Sequence, residues 1–179
     1  MKRITQSALA GLAILSTALV AGPAVAADKD TQFFKSVQGV WTGPGEIVAG
    51  KYKGTKFVCR LTGTTPAGNV GMTLDGSCRV GVFSQKMSAT VVRAGRGYRG
   101  KFLDGSGGDG LDITSGTIEG QRVVLAISRK ALNGAMSARM SGRNAMNVAI
   151  SVKVDTKMVR VIAMDLKRIE DAVGEVAAE

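Results

Sequence analysis

The sequence predicts an all-β protein, an antiparallel up-and-down meander of eight to ten strands closed into a barrel, with a short N-terminal helical turn. Apolar and polar residues alternate through most of the chain, which is the two-residue period of a strand with one buried face. The chain has 24 glycines and 3 prolines, and turn-forming residues separate the alternating segments. Short connections favour antiparallel neighbours, and closure into a barrel leaves no exposed sheet edge.

The first 26 residues have the pattern of a secretory signal peptide. Met1, Lys2 and Arg3 give a basic start, residues 9–20 form an apolar run, and small residues follow at 24–27. The run is shorter than the roughly 20 residues of a membrane-spanning helix, and Pro23 interrupts its end, which disfavours a retained anchor. We therefore predict that residues 1–26 are removed on export and that the protein is periplasmic or secreted.

Residues 27–168 are expected to form one β-barrel domain, followed by an acidic tail at 169–179. The tail has no basic residue and contains Glu170, Asp171, Glu175 and Glu179. The domain begins with a short helical turn over residues 30–39, in which Asp30 or Thr31 caps the start and Gly39 ends the turn. The apolar residues of this turn share one face: Phe33, Phe34 and Val37.

Ten strands are expected after this turn. They are predicted near residues 40–48, 54–61, 70–80, 82–92, 98–103, 111–118, 122–128, 135–141, 145–154 and 158–167. Turns are predicted between them at 66–69, 94–97, 119–120, 133–134, 142–144 and 155–156. In the last three strands the predicted inward residues are Met136, Ala138, Met140, Met146, Val148, Ile150, Val152, Ile162, Met164 and Leu166.

The two cysteines, Cys59 and Cys78, predict one disulfide, since both lie in the exported part of the chain. Their midpoint falls between Gly68 and Asn69, so a hairpin that turns there places them directly across two adjacent strands. The chain has no histidine, and two cysteines alone cannot complete a tetrahedral zinc site. No metal, cofactor or catalytic residue is predicted, and the protein is not expected to be an enzyme.

The net charge of +10 is typical of a protein with anionic partners and equally of one whose charge serves only solubility, and the sequence leaves both alternatives open. The expected partner is a small hydrophobic or anionic lipid-like ligand, or a periplasmic or envelope protein, with peripheral membrane contact also open. Export makes nucleic acid an unexpected partner. One basic patch combines Lys51, Lys53 and Lys56 with Tyr52.

Two residue sets are the candidate ligand-binding residues. The first is the inward methionines, whose flexible thioethers suit an adaptable cavity but also fill irregular cores: Met136, Met140, Met146 and Met164. The second is a basic and aromatic hairpin that can hold an anionic head group or simply be solvated: Arg96, Tyr98, Arg99 and Lys101. We expect a non-enzymatic barrel that binds a small apolar or amphipathic ligand. The alternative is a protein-binding module such as a periplasmic protease inhibitor or a cell-envelope factor.

The segment 104–112, DGSGGDGLD, contains one match to the Gly-Gly-x-Gly-x-Asp core of a calcium-binding β-roll repeat. That chemistry requires neighbouring copies of the repeat, and the chain has one. The segment is therefore interpreted as a glycine-rich connection between two strands. A weak cation site formed by Asp104, Asp109 and Asp112 is the alternative.

The triplet Gly39-Val40-Trp41, which follows the short helix and opens the first strand, resembles the lipocalins and the wider calycin group. The resemblance implies an eight-stranded barrel with the tryptophan at its closed end. It also implies that a base from the last strand, Lys167 or Arg168, packs on the tryptophan ring. The Gly-x-Trp start, export signal and single disulfide are similar to those of small periplasmic metalloprotease inhibitors. The whole chain also resembles a family of exported proteobacterial proteins.

Overall fold

The structure is a computed structural model that describes residues 24–105 and 110–169, with side chains from Lys29 onward. Most of the predicted signal peptide, residues 170–179 of the predicted acidic tail and residues 106–109 of the glycine-rich segment lie outside the described residues. No helix in the described part of the chain combines the length and the apolar character that crossing a bilayer requires.

The described residues form one helix and ten strands. In chain order they are α1 (Ala24–Ser36), β1 (Gly39–Ile47), β2 (Lys56–Thr64), β3 (Gly71–Val80), β4 (Phe83–Ala94), β5 (Gly97–Leu103), β6 (Leu111–Glu119), β7 (Arg122–Arg129), β8 (Leu132–Ser141), β9 (Ala145–Val154) and β10 (Lys157–Ile169).

The strands form a closed antiparallel barrel, which confirms the predicted fold class. Each strand pairs with its neighbours along the chain, and β1 closes the barrel by pairing with β10, for example Trp41 with Arg168. The strand count is at the upper limit of the prediction and exceeds the eight of a lipocalin. Closure pairs both sides of every strand, so the barrel presents no edge strand.

The disulfide prediction is also confirmed. Cys59 and Cys78 lie directly opposite each other on β2 and β3 and are bonded. The connection between these strands is longer than a two-residue turn, because β2 ends at Thr64 and β3 begins at Gly71. The bond therefore joins two strands that are already adjacent.

Two local predictions were wrong. The helix begins at Ala24, so neither Asp30 nor Thr31 caps it; the alanine-rich segment 24–27 has high helix propensity and extends the helix backwards. The turn between β7 and β8 lies at 130–131 instead of 133–134. β7 pairs with β8 from Arg122 with Arg139 to Arg129 with Leu132, and this register leaves residues 130–131 as the turn.

The barrel has two unlike ends. The helix end is the end covered by α1, where the connections at 65–70, 95–96, 120–121 and 142–144 lie. The open end carries the connections at 48–55, 81–82, 104–110, 130–131 and 155–156. The tightest packing is near the helix end, where Phe34 of α1, Trp41 of β1 and Leu166 of β10 are fully buried.

Candidate functional site

The helix end is closed by polar contacts as well as by apolar packing. The Tyr98 hydroxyl donates to the Asp30 carboxylate at 2.5 Å, and the Arg93 guanidinium forms a salt bridge with the same carboxylate. Burial of the Tyr98 ring, together with the hydrogen bond to Asp30, raises the pKa of Tyr98 to about 12. Tyr98 also packs edge-on against Phe34, with ring centres 5.4 Å apart. These contacts attach α1 to β4 and β5.

A second set of contacts holds the C-terminal end of α1. The Arg168 guanidinium lies 4.3 Å from the ring centre of Trp41, while Lys167 is exposed on the outer face of β10. Arg168 donates to the main-chain oxygens of Ser36, at 2.6 Å, and of Gln38. Because the last carbonyls of a helix lack partners within the helix, this one side chain satisfies groups that would otherwise need water.

The interior of the barrel is tightly packed in the half near α1. Trp41, Leu61, Tyr98, Met140 and Leu166 all face inward there, and each is buried. On the side of the interior formed by β5, β6 and β7, the packing continues towards the open end, since Phe102, Leu111 and Ile127 are also buried. This packing closes the barrel from the helix end.

The interior is accessible to solvent near the open end, on the side formed by β2, β4, β8, β9 and β10. Apolar side chains that the register directs inward are only partly buried there. We call this set the cup; it consists of Phe57, Met87, Ala89, Met136, Ala138, Ile150 and Met164. The cup rests on the packed core, and its members contact that core.

Polar residues occupy inward positions at the mouth of the cup. Gln85 of β4 is exposed and pairs with Cys78, which faces inward. Arg129 of β7 also faces inward, and its guanidinium lies 3.4 Å from the Asp104 carboxylate. The site therefore combines an apolar interior with a polar mouth, a pattern that suits an amphipathic molecule.

The open end carries an unusual set of exposed apolar side chains, in its connections and on both faces of the adjoining strand ends. Nine large hydrophobic residues of the described chain are exposed, and all nine lie at this end. We call this set the rim; it consists of Tyr52, Val58, Val80, Val82, Phe83, Leu103, Leu132, Val154 and Met158.

The candidate residues predicted from sequence do not form one site. Met136 and Met164 belong to the cup, whereas Met140 and Met146 are buried in the packed half. Tyr98 is part of the contact with α1. The remaining three, Arg96, Arg99 and Lys101, are exposed on the outer surface of the β4–β5 hairpin.

Sequence reasoning missed several members of the site. Met87 and Ala89 of the cup occupy alternate positions on β4, and this alternation was the available signal. The rim was missed apart from Tyr52, because its members are scattered over five connections that meet only in the folded barrel.

A groove of about 1030 Å³ lies at the helix end, between α1 and the connections at 120–121 and 142–144, and inward-facing Ile118 and Met140 are part of its lining. Most of its lining residues are polar or charged by type, among them Lys29, Lys35 and Arg143, while apolar atoms contribute the larger part of its surface. The groove is at the end of the barrel opposite the cup.

Residues that could ligate a metal do not cluster in the described ranges. No group of three or more histidine, cysteine, aspartate or glutamate side chains is close enough there to hold an ion. Asp112 of the glycine-rich segment instead faces Lys101, with 3.7 Å between the charged atoms. Asp109 lies outside the described residues, so the cation alternative for 104–112 stays a prediction.

Comparison with known proteins identifies a fold and no family. No protein-family model matches the chain, and no curated protein matches it. Among solved structures, the chain is similar to the crystal structure of Rv2717c from M. tuberculosis, with a TM-score of 0.55 and 13% sequence identity. The match covers 79% of this chain and 98% of that chain. At this identity the similarity shows a shared barrel fold and nothing of function.

Proposed function

We propose that this protein is an exported, non-enzymatic barrel that binds a small apolar or amphipathic ligand in the cup. The observation that carries the proposal is the partial exposure of inward-facing apolar residues near the open end. Apolar side chains directed into a barrel are normally removed from water, since each fully buried one contributes about 1.5–3 kcal/mol. An accessible set at the mouth is the arrangement expected of a binding cavity.

The composition of the cup supports a ligand of variable shape. Met87, Met136 and Met164 supply flexible, polarisable thioethers that adapt to irregular apolar molecules. Ala89 and Ala138 leave space between these longer side chains. Since α1 covers the other end, the ligand enters from the open end with its apolar part first.

The charge at the mouth supports a ligand with an anionic head group. Arg129 faces inward there, and exposed lysines occupy the surrounding connections at 48–55 and 130–131 and the strand ends beside the connection at 155–156. Asp104 offsets Arg129 locally, so the lysines supply the attraction. An acyl chain in the cup with a carboxylate or phosphate at the mouth satisfies both features.

Export and the lipocalin-like assignment are part of the same proposal. Residues 1–26 support export, and delivery of an apolar molecule through an aqueous compartment is a task for a soluble barrel. Arg168 packed on Trp41 beside Gly39 supports the resemblance to calycins, in which a base covers this ring. Ten strands in place of eight make the barrel wider than a lipocalin.

Native mass spectrometry tests the proposal, on protein purified without detergent and then mixed with a panel of fatty acids and lysophospholipids. We expect the wild-type chain to bind at least one of them with 1:1 stoichiometry. Ala138→Phe, which fills the cup, should weaken that binding at least about tenfold, whereas Ala67→Phe, an exposed position at the helix end, should not. A wild-type chain that binds no member of the panel contradicts the proposal.

The alternative is a protein-binding module, favoured by the exposed apolar residues of the rim. Phe83 is 79% exposed, and an aromatic side chain of this exposure is a typical anchor in protein interfaces. The same variant separates the two functions. Filling the cup with Ala138→Phe leaves the outer surface unchanged, so a protein partner would still bind while a small ligand would not.

A further inference from the structure

The rim places all of the large exposed hydrophobic side chains of the described residues at one end of the barrel. At least one of these residues lies in each of the five open-end connections or on a strand next to it. The four connections at the helix end carry none in the described part of the chain. Scattered surface hydrophobics need no explanation, but nine on one end mark an interaction surface.

The β3–β4 hairpin is the most prominent part of the rim. Val82 is 88% exposed and Phe83 is 79% exposed, the two highest values in the rim. The pairing of β4 with β5 begins only at Ser88, so residues 83–87 extend beyond the β5 edge. The hairpin tip therefore presents two apolar side chains at a projecting point.

Exposed lysines alternate with these apolar residues around the open end. They occupy two of its five connections, 48–55 and 130–131, and the strand ends beside 48–55 and 155–156: Lys51, Lys53, Lys56, Lys130, Lys153 and Lys157. Lys51 lies 5.4 Å from the ring centre of Tyr52, so a cation and an aromatic ring stand together at one tip. Of the acidic groups at this end, Asp104 and Asp112 face Arg129 and Lys101, and Asp155 is exposed between Lys153 and Lys157. The six lysines therefore outnumber the remaining acidic charge.

We propose that the rim docks the barrel on the surface of an anionic lipid bilayer, with the open end towards the membrane. Apolar tips that enter the head-group region, with lysines at the level of the phosphates, are the arrangement that binds peripheral proteins to charged membranes. The apolar residues form separate tips around a mouth instead of one flat face, which fits a fluid lipid surface better than a rigid protein partner. The contact needs no ligand in the cup, so it stands independently of the proposed function.

Vesicle flotation tests the docking surface on the whole chain. Vesicles of phosphatidylcholine alone are compared with vesicles that also contain phosphatidylglycerol. We expect the wild-type chain to float with the anionic vesicles and to be released by high salt. The double variant Val82→Ser, Phe83→Ser should weaken this binding at least about tenfold, because it removes the two most exposed apolar side chains.

A matched pair of charge reversals distinguishes docking by the rim from general attraction of a basic protein. Lys51→Glu, Lys53→Glu, Lys56→Glu reverses three bases at the open end. Arg96→Glu, Arg122→Glu, Arg139→Glu makes the same change in charge on exposed residues near the helix end. We expect the affinity of the lysine triple variant for anionic vesicles to fall about fivefold per charge removed. The affinity of the arginine triple variant should fall far less. Both variants retain the apolar run at residues 9–20, so any binding of that run to the vesicles is the same in both and does not affect their comparison.

Several outcomes would overturn the docking proposal. They are a wild-type chain that stays unbound to both kinds of vesicle, equal losses in the two triple variants, and full binding by the Val82→Ser, Phe83→Ser variant. A stable dimer in sedimentation that this double variant abolishes would reassign the rim to self-association and likewise contradict docking. Thermal melting of each variant shows whether it is folded.

The test also separates docking from ligand binding. The Ala138→Phe variant should no longer bind the soluble ligand but should still bind to anionic vesicles. The Val82→Ser, Phe83→Ser variant should keep a soluble ligand such as a short-chain fatty acid and lose the vesicles. Loss of both activities in both variants would contradict the assignment of two separate surfaces.

Discussion

Tyr98 is the residue whose ionisation the fold alters most clearly among the described groups. Its hydroxyl is buried against α1 and donates to Asp30, which raises its pKa from 10.0 to about 12. The neutral form is therefore favoured by folding. The stability that this contributes is fully present below about pH 10 and is lost as the pH rises through about 12.

We predict that an absorbance titration shows a tyrosinate step near pH 12 in the wild-type chain and not in Tyr98→Phe. The control, Tyr52→Phe, should keep that step because Tyr52 is on the exposed rim. Between pH 10 and 12, the free energy of unfolding of the wild type should fall by about 2–3 kcal/mol more than that of Tyr98→Phe. A Tyr98 step near pH 10 would contradict this account of the contact with α1.

Glycines allow the strands to approach closely at several inward positions. A Cβ added to Gly100 of β5 would fall 1.8 Å from the main-chain oxygen of Thr90 on β4, so the strands must separate to accept it. A Cβ on Gly97 of the same strand would meet its nearest atom at 3.8 Å, an ordinary contact. The close approach of β4 and β5 thus requires a glycine at position 100 and not at position 97.

We predict that Gly100→Ala lowers the free energy of unfolding by about 1–3 kcal/mol and that Gly97→Ala is close to neutral. Urea denaturation with Trp41 fluorescence measures both, since Trp41 is the one tryptophan of the chain. Equal effects of the two substitutions would be inconsistent with the strand spacing described.

At the scale of the secondary-structure elements, α1 is held by its C-terminal end as much as by its apolar face. Arg168 reaches from β10 to the carbonyls of Ser36 and Gln38 while it covers Trp41. A helix of 13 residues is marginal in water on its own, so these tertiary contacts decide whether it stays in place.

We predict that Arg168→Leu destabilises the protein by about 2–3 kcal/mol, from the lost cation–π contact and the unpaired carbonyls. It should also shift the fluorescence emission maximum of Trp41, because the guanidinium no longer packs on the indole ring. Lys167→Leu, one position earlier on the exposed face, should change neither quantity by much. The result that would count against this role is an Arg168→Leu chain with wild-type stability and wild-type emission.

The strands could be predicted from sequence to within a few residues because a half-buried strand imposes the two-residue alternation on the chain itself. The helix start could not, since an alanine-rich segment is compatible with both a signal peptide and a helix. The β7–β8 turn was misplaced because Asn133-Gly134 has the composition of a turn. Gly134 is instead a strand residue whose added Cβ would lie 2.4 Å from the main-chain oxygen of Ser151.

At the scale of the whole molecule, the barrel is a cylinder closed at one end and accessible at the other. Inward-facing residues could be predicted strand by strand, as for Met136, Met140, Met146 and Met164. The sequence did not distinguish the packed half of the barrel from the accessible half. That difference depends on the position of α1 and on which residues of the ten strands lie at the same height along the barrel axis. The rim could not be predicted from the sequence for the same reason.

The most direct test of the binding end is NMR of the protein labelled with [¹³C]methyl-methionine, titrated with a fatty acid or lysophospholipid. The methyl groups of Met87, Met136 and Met164 lie in the cup, whereas those of Met140 and Met146 belong to the buried core. We predict that the first three signals shift with saturation at one equivalent while the other two stay in place. Shifts confined to Met140 and Met146, or no shift at any of the five, would contradict the account.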